Sequence, residues 1–436
     1  CERDLHHVDP TRCVPPRMTS ALVISRIFPA NDQMVHGIVQ RLETQVEALA
    51  RVTDRVDCLF LTAADQQLSA EELRGHEERL RRRWSSKLHL SVAPVLQRKF
   101  VSTRWQRYGP GIFDFHAQEG GADLDNEAAA QAVRTALNAA PDLLLAHRLP
   151  VRSLLLRLAR YTRRMAIFFD LDDIEHFSLS RRLLHHPGWP MERLLLMQVP
   201  RVLLTEVQAV RRSRVTFVCS EHDCRHLRRL AWSRRVEVVA NGIRFPTGTP
   251  VRAAAPIILF VGYMGYQPNA LAADALVQDI WPAVHARVPN ARLLIAGSRP
   301  QRLKSFPATD PSVTFTGFVD NLDELYDQAR VVCCPISCGS GTRVKIIEAA
   351  AHARAIVSTP LGAEGLAFEN GTEIVLRSGG PALAAECVRL LQDPAAAERL
   401  GLAARAKART TYERAAVVAQ LERLFAGALR TESRVQ

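Results

Sequence analysis

The sequence predicts an α/β fold built from two doubly wound, parallel-sheet halves. Three observations point there. The chain has 436 residues, more than one hydrophobic core usually supports, so two domains are expected. Short runs nearly continuous in Val, Ile, Leu and Phe alternate with segments whose apolar residues recur at three- and four-residue steps, as in strands covered on both faces by helices. One stretch rich in Pro, Gly and Thr, Arg244–Pro256, divides two such series and reads as a linker.

The first series begins with ALVISRIFP (Ala21–Pro29), a strand ended by proline. GIVQRLETQVEALA follows and is helical by period, with Ile38, Leu42, Val46 and Leu49 on one face. Val56–Ala64, Pro141–Pro150, Met165–Asp173, Arg214–Glu221 and Val236–Gly242 supply five more strands. The second series has strands at Ile257–Gly262, Ala291–Gly297, Val313–Gly317, Arg330–Pro335, Arg354–Thr359 and Thr372–Arg377. A helix follows Pro268 and runs to Arg287. From Pro381 the chain is helical, with a break at which Asp393 caps the helix that Pro394 opens. The expected division is 1–248, 249–410, and a C-terminal helix at 411–436 that packs back on the first domain. Ligands of such sheets sit at the carboxyl ends of the strands, so the cleft between the halves is the expected site.

Composition narrows the classes. Apolar residues make up 47% and charged residues 23%, the balance of an ordinary globular chain. The longest apolar run, Leu194–Val207, is broken by Gln198, Pro200 and Arg201, so no transmembrane helix is expected. No signal peptide is visible, and because the chain begins at Cys1 a start further upstream is expected. The net charge of +12 suits nucleic acid, an anionic membrane face or phosphorylated ligands, and an arginine-favouring codon bias explains it equally well. No zinc-finger, RNP or helix-turn-helix pattern supports nucleic acid. No Gly-x-Gly-x-x-Gly follows the first strand of either half, which argues against an NAD oxidoreductase. The nine cysteines are scattered with no C-x-x-C pair, as in a reducing compartment. Cys219, His222, Cys224 and His226 match no standard zinc spacing. Asp170-Leu171-Asp172 fits a D-x-D metal motif, against a structural or acceptor-side role at a strand end.

The stretch CGSGTRVKIIEAAA, Cys338–Ala351, carries the most chemistry. A strand runs into two glycines and a helix begins. Glycines let the backbone approach a ligand, and a helix start offers unpaired N–H groups and partial positive charge, which together suit phosphate. Arg343 and Lys345 add full charges. Glu348 stands in an otherwise apolar run and needs a partner, for which ribose hydroxyls would serve. The plainer reading is a strand–helix turn with Lys345 pairing Glu348 on the surface.

With Gly262 after its strand, ARLLIAG, FTGFVDNLDELY and the glycine-started helix ending in EA, the region Ile257–Leu424 resembles the donor-binding domain of family 4 retaining glycosyltransferases (group 1). That family has the GT-B fold, two Rossmann-like domains facing a central cleft. The N-terminal half resembles its acceptor domain weakly. The resemblance implies donor contacts at Gly37, Gly262, Ser340, Gly341, Thr342 and Glu348, with Glu348 on the nucleotide ribose and Gly341 and Thr342 in the phosphate cradle. It implies His147 near the transferred sugar, and Gly37 against the donor phosphates, with His36 where a second glycine often stands. Two positions depart from the family pattern. Ser340 replaces the first glutamate of E-x7-E, and the loop Tyr263–Gln267 lacks the usual Arg and Lys. Arg343 and Lys345 are expected to supply that charge from the helix side, stabilising the leaving diphosphate as catalytic cations beside His147.

The implied reaction moves a sugar from a nucleoside-diphosphate sugar to a hydroxyl with retention, in cell-surface or extracellular polysaccharide synthesis, with no metal and no cofactor beyond the donor. Implied partners are the nucleotide sugar and a sugar or lipid-linked acceptor, in a cytoplasmic enzyme. The basic stretches Arg79–Lys87 and Arg152–Met165 suggest peripheral contact with an anionic inner membrane face, with Leu154, Leu155, Leu158 and Tyr161 on one side of a helix. A core-packed helix fits the same pattern. A catalytically weak or non-catalytic nucleotide-sugar binder and a nucleotide-sugar epimerase of the same architecture are the alternatives.

Overall fold

The computed structural model describes residues 18–30, 37–96, 124, 126–163, 165–185, 190–307 and 309–432. Seven strands form the first sheet: β1 (Ser20–Ser25), β2 (Arg55–Ala63), β3 (Leu88–Leu96), β4 (Leu143–His147), β5 (Ala166–Asp172), β6 (Val215–Val218) and β7 (Val236–Val238), in the order β3-β2-β1-β4-β5-β6-β7. Six form the second: β8 (Ile257–Val261), β9 (Arg292–Ala296), β10 (Val313–Gly317), β11 (Val331–Cys334), β12 (Ala355–Ser358) and β13 (Val375–Leu376), in the order β10-β9-β8-β11-β12-β13. The named pairs are parallel. This is the pair of facing Rossmann-like sheets of the GT-B fold.

The central strands are buried on both faces because their side chains are apolar on both. β4 and β8 are buried along their whole length. β3 is a strand that the apolar-run reading passes over. It alternates, with Leu88 and Leu90 buried and Ser91 exposed, and it carries Pro94. An edge strand pairs on one side only and tolerates both features.

Helices cover both sheets. Those used below are α1 (Gly37–Val52), α2 (Ala70–Arg83), α3 (Leu149–Arg157), α4 (Glu175–His185), α5 (Glu221–Ala231), α6 (Gln267–Ala275), α7 (Asp323–Gln328), α8 (Val344–Ala351), α9 (Pro394–Tyr412) and α10 (Arg414–Glu432). Asp393 caps α9, accepting from the Ala396 N–H. The chain from 239 to 256 joins the two sheets without helix or strand.

α10 returns to the first sheet. Val417, Val418, Leu421 and Phe425 are buried in that half's core, with Phe425 edge-on to Phe168 at 4.8 Å. Arg414, at its start, reaches Glu43 at 3.1 Å and Glu47 at 2.8 Å on α1.

The basic stretches have structural work. Leu154, Leu155 and Leu158 lie in the core beneath α3, so the leucine face considered for a bilayer packs inside the protein. Arg79 donates to the Pro29 and Ala30 carbonyls, Arg83 to Glu43, and Lys87 to the Ala50 and Thr53 carbonyls.

Candidate functional site

The strand order reverses between β1 and β4 in one sheet and between β8 and β11 in the other. A crevice opens at such a point beyond the carboxyl strand ends. Here the two crevices face each other.

The C-terminal rim is made of backbone. Gly262 follows β8 and Gly297, with φ of +138°, follows β9, and the two come so close that a Cβ on Gly297 would lie 1.8 Å from the Gly262 carbonyl oxygen. After β11 the chain passes Gly339 and Gly341, both with positive φ, and enters α8. Arg343 is the residue before the helix. Its guanidinium turns back on the loop, donating to the carbonyls of Ser340, Gly341 at 2.6 Å and Cys338 at 3.4 Å. The loop is thereby pinned around a cation.

In the first turn of α8, Lys345 leans over the Phe260 ring, with Nζ 4.2 Å from its centroid and 2.8 Å from Asn269 Oδ1 on α6. The same Nζ would be 2.9 Å from a Cβ on Gly262, so the charge stands at the loop after β8. Burial lowers its pKa to about 8. Glu348 accepts from the Tyr326 hydroxyl on α7 at 3.0 Å and from Gln40 on α1 at 3.5 Å. Burial raises its pKa. The plainer reading of a surface Lys345–Glu348 pair is not what forms, since each carries its own partner from elsewhere.

The N-terminal rim is made of charge. Arg41 on α1 meets Asp170 in β5 with Nε 2.9 Å from both carboxylate oxygens and Nη2 2.6 Å from one, and both residues are buried. Asp172 accepts from the Cys219 thiol at 3.1 Å. These contacts give the D-x-D pair the structural role at a strand end. Among the described residues no three His, Cys, Asp or Glu side chains gather to hold a metal.

His147 ends β4 and accepts from or donates to Ser25 Oγ at 2.8 Å through Nδ1. It is 1% exposed, so it lies under the cleft floor. Its Nε2 is buried without a hydrogen-bond partner. Burial drops its pKa to about 4, which keeps it neutral. The next residue, Arg148, holds φ of +70°, and Asp172 holds +60°. Strain of this kind at a strand end collects at functional sites. Arg148 reaches Glu175 at 3.4 Å and Asp173 at 3.8 Å.

The rims touch. Asn241 donates to Thr342 Oγ1 at 2.8 Å. A Cβ on Gly341 would lie 1.6 Å from Asp173 Oδ1, and one on Gly37 would lie 2.6 Å from Val344 Cγ2. Arg181 on α4 holds Glu364 with both terminal nitrogens, at 2.8 Å through Nη2, and reaches the Gly339 carbonyl at 3.4 Å.

The structure thus brings Gly37, Gly262, Ser340, Gly341, Thr342, Lys345 and Glu348 to one seam. Arg343 lies there too, with its side chain in the loop. His147 stands behind the seam. His36 lies outside the described residues. Sequence reasoning missed Asp173, Asn241, Gln40, Asn269 and Tyr326. Asp173 adjoins a quoted motif, but its aim depends on the backbone at Asp172. The others are single polar residues whose partners sit far along the chain.

Residues 255–393 match the family model "Glycosyl transferases group 1". That span holds the whole C-terminal rim. Among curated proteins none matches the sequence. Solved structures with the same fold include a sucrose-phosphate synthase from Thermosynechococcus elongatus, at 18% identity and TM-score 0.69, covering 95% of this chain and 100% of that one. Another is HepE of Anabaena in complex with UDP-glucose, at 14% identity and TM-score 0.61, covering 94% and 99%. A third is a TarM variant of S. aureus in complex with fondaparinux, alpha-GlcNAc-glycerol and UDP, at 8% identity and TM-score 0.66, covering 93% and 100%.

Proposed function

We propose that this chain is a retaining glycosyltransferase of family 4 type, moving a sugar from a nucleoside-diphosphate sugar to a hydroxyl acceptor without a metal. The observation that carries the reading is the C-terminal rim. A glycine loop, a helix start, one lysine and one glutamate converge where two strand-order reversals face each other. The N–H groups of α8 and Lys345 suit a diphosphate, and Glu348 suits a ribose. Arg343 acts through the loop it pins. His147 acts from beneath, as a neutral group holding the floor on which the acceptor side rests. The span matching the family model supports the reading, and so do structures of the same fold that carry UDP or UDP-glucose.

A sugar or lipid-linked acceptor, a role in cell-surface or extracellular polysaccharide synthesis, and a cytoplasmic enzyme at the inner membrane face follow from the resemblance and the charge of +12. No described helix is long and apolar enough to cross a membrane.

A second reading is favoured by one observation. Arg343 is occupied by its own loop, and Ser340 brings no carboxylate, as in a nucleotide-sugar binder with little catalysis. One experiment separates the two. The protein is incubated with a panel of nucleoside-diphosphate sugars, with and without EDTA, while melting point and nucleoside-diphosphate release are followed. A donor that raises the melting point and is slowly hydrolysed, unaffected by EDTA, supports the transferase. Stabilisation with no release even when hydroxyl acceptors are added supports the binder. EDTA-sensitive release overturns metal independence, and no stabilisation by any nucleotide overturns both readings.

A further inference from the structure

In the N-terminal rim the Asp173 carboxylate reaches past its own sheet to the opposite rim. At the end of β5 the Asp173 N–H donates to the Leu171 carbonyl at 2.8 Å, across Asp172 with φ of +60°. This is a γ-turn of the strained hand. Its effect is to swing Asp173 away from the buried Arg41–Asp170 pair and out across the seam. There Oδ1 rests against Gly341, at a spot that only a glycine leaves open. Beside it, the Ser340 hydroxyl is buried and has no hydrogen-bond partner. Arg148, itself held at φ of +70°, stands 3.8 Å behind the carboxylate. Two strained residues, an open glycine and an unpartnered hydroxyl converge on this carboxylate.

We propose that Asp173 is a specificity residue that accepts hydrogen bonds from hydroxyls of the transferred sugar, reaching the donor from across the cleft. The inference rests on the glycosyltransferase reading. An ionised carboxylate accepts and does not donate, and it repels phosphate. Beside a phosphate cradle it is useful only toward a group that donates, and the part of the donor that donates is the sugar. Ser340 Oγ can serve the same ring. The carboxylate that the glycine loop lacks therefore comes from the opposite domain, so sugar recognition is complete only when the cleft is shut. Burial, with Asp172 next, raises the Asp173 pKa to about 7, so the ionised, purely accepting form predominates only above that pH, and the titrations below are run at about pH 8.

The test compares bare diphosphates with their sugar conjugates. UDP, GDP, ADP and dTDP, and UDP-glucose, GDP-mannose, ADP-glucose and dTDP-glucose, are titrated into wild type and Asp173→Asn by thermal shift and calorimetry. Asn keeps the shape, so folding is preserved, and the unliganded melting point checks it. We expect the wild type to bind one sugar conjugate more tightly than its diphosphate. Asp173→Asn keeps the diphosphate affinity and loses about ten-fold or more for the conjugate, the effect of removing a hydrogen bond to a charged group. Equal binding of conjugate and diphosphate by wild type overturns the inference and leaves the transferase reading standing. So does a variant indistinguishable from wild type. A variant that loses both ligands assigns Asp173 to holding the loop. One that binds bare diphosphate more tightly makes it a plug in the anion cradle. No response from wild type to any nucleotide overturns the parent reading itself.

Discussion

The two rims of the cleft are made of different materials. The N-terminal rim is a buried network in which Arg41, Asp170, His147, Ser25 and Asp172 hold one another, and two residues carry strained backbone. The C-terminal rim has little side chain near its strand ends, with Gly262, Gly297 and Gly341 letting the chain and a ligand come close. The difference is one of task. A backbone surface binds an anion through N–H groups that cost little reorganisation. A charged network aims a side chain such as Asp173 and keeps it aimed, which needs rigidity bought by burial. In the proposed function one rim would grip the donor and the other would read it.

The largest effect should come from breaking the rigid rim. Arg41→Met leaves Asp170 buried and unpaired, and removing one partner of a buried pair costs about 3–5 kcal/mol. Urea denaturation of the variant should show this loss, and Arg41→Met with Asp170→Leu should recover most of it. A small loss in the single variant would mean that the network adapts and does not fix the rim. On the other rim Glu348→Ala should cost less stability, about 1–3 kcal/mol for the Tyr326 hydroxyl left without its acceptor, and should strike binding. Losing a hydrogen bond to a charged group is worth about 1.5–3 kcal/mol, or roughly ten- to a hundred-fold in nucleoside-diphosphate affinity by calorimetry. Undiminished affinity would remove Glu348 from the donor site.

The C-terminal rim is legible in the sequence because backbone sites announce themselves. Glycines before a helix, and a carboxylate in an apolar run, are local patterns, and they placed Gly341, Lys345 and Glu348 at the seam. Both sheets were legible for the same reason, since parallel strands are continuous apolar runs, whereas the alternating edge strand β3 was not. The N-terminal rim is written in pairs far apart in the chain. Arg41 meets Asp170 from 129 residues away, and nothing in QRLET marks that arginine. Asp170–Asp172 looked like a metal motif because sequence shows carboxylates and hides the cation that occupies them. The direction of the Arg343 side chain was likewise hidden. Arginine beside a cradle suits phosphate, and only the loop's curl shows that its carbonyls reach the guanidinium first.

A smaller effect distinguishes the rims by pH. Burial holds the Lys345 pKa at about 8, below its ordinary 10.5. The folded state therefore binds fewer protons than the unfolded chain between these values. The stability cost of this lysine is fully present below pH 8 and is relieved as pH rises toward 10.5. Donor binding has the opposite sign, because the diphosphate needs the ammonium. Its affinity should fall by up to about ten-fold per pH unit above 8, the proton-linkage limit for one group. Lys345→Met should bind weakly with a flat profile over the same range. A wild-type profile flat from pH 7 to 9.5 would take Lys345 off the diphosphate.

The smallest expected effect lies where the rims clasp. Arg181 and Glu364 are about a quarter to a third exposed, at 27% and 30%. An ion pair in such a position contributes only about 0.2–1 kcal/mol and weakens with salt. Here the pair joins two domains, so its contribution falls on closure and leaves the folding of either half alone. Arg181→Ala and Glu364→Ala should leave the melting point within about 4 °C, given roughly 2–4 °C per kcal/mol in domains of about 150–250 residues. Small-angle scattering should show a larger radius of gyration for each variant, and for wild type at high salt. The double variant should be no more open than either single one, since each already removes the same contact. Additive opening would mean that each side chain holds the cleft through some other partner. Arg181 has one, the Gly339 carbonyl at 3.4 Å on the glycine loop itself. An Arg181→Ala variant more open than Glu364→Ala would therefore shift the clasp from the ion pair to the loop, and make closure depend directly on the shape of the donor cradle.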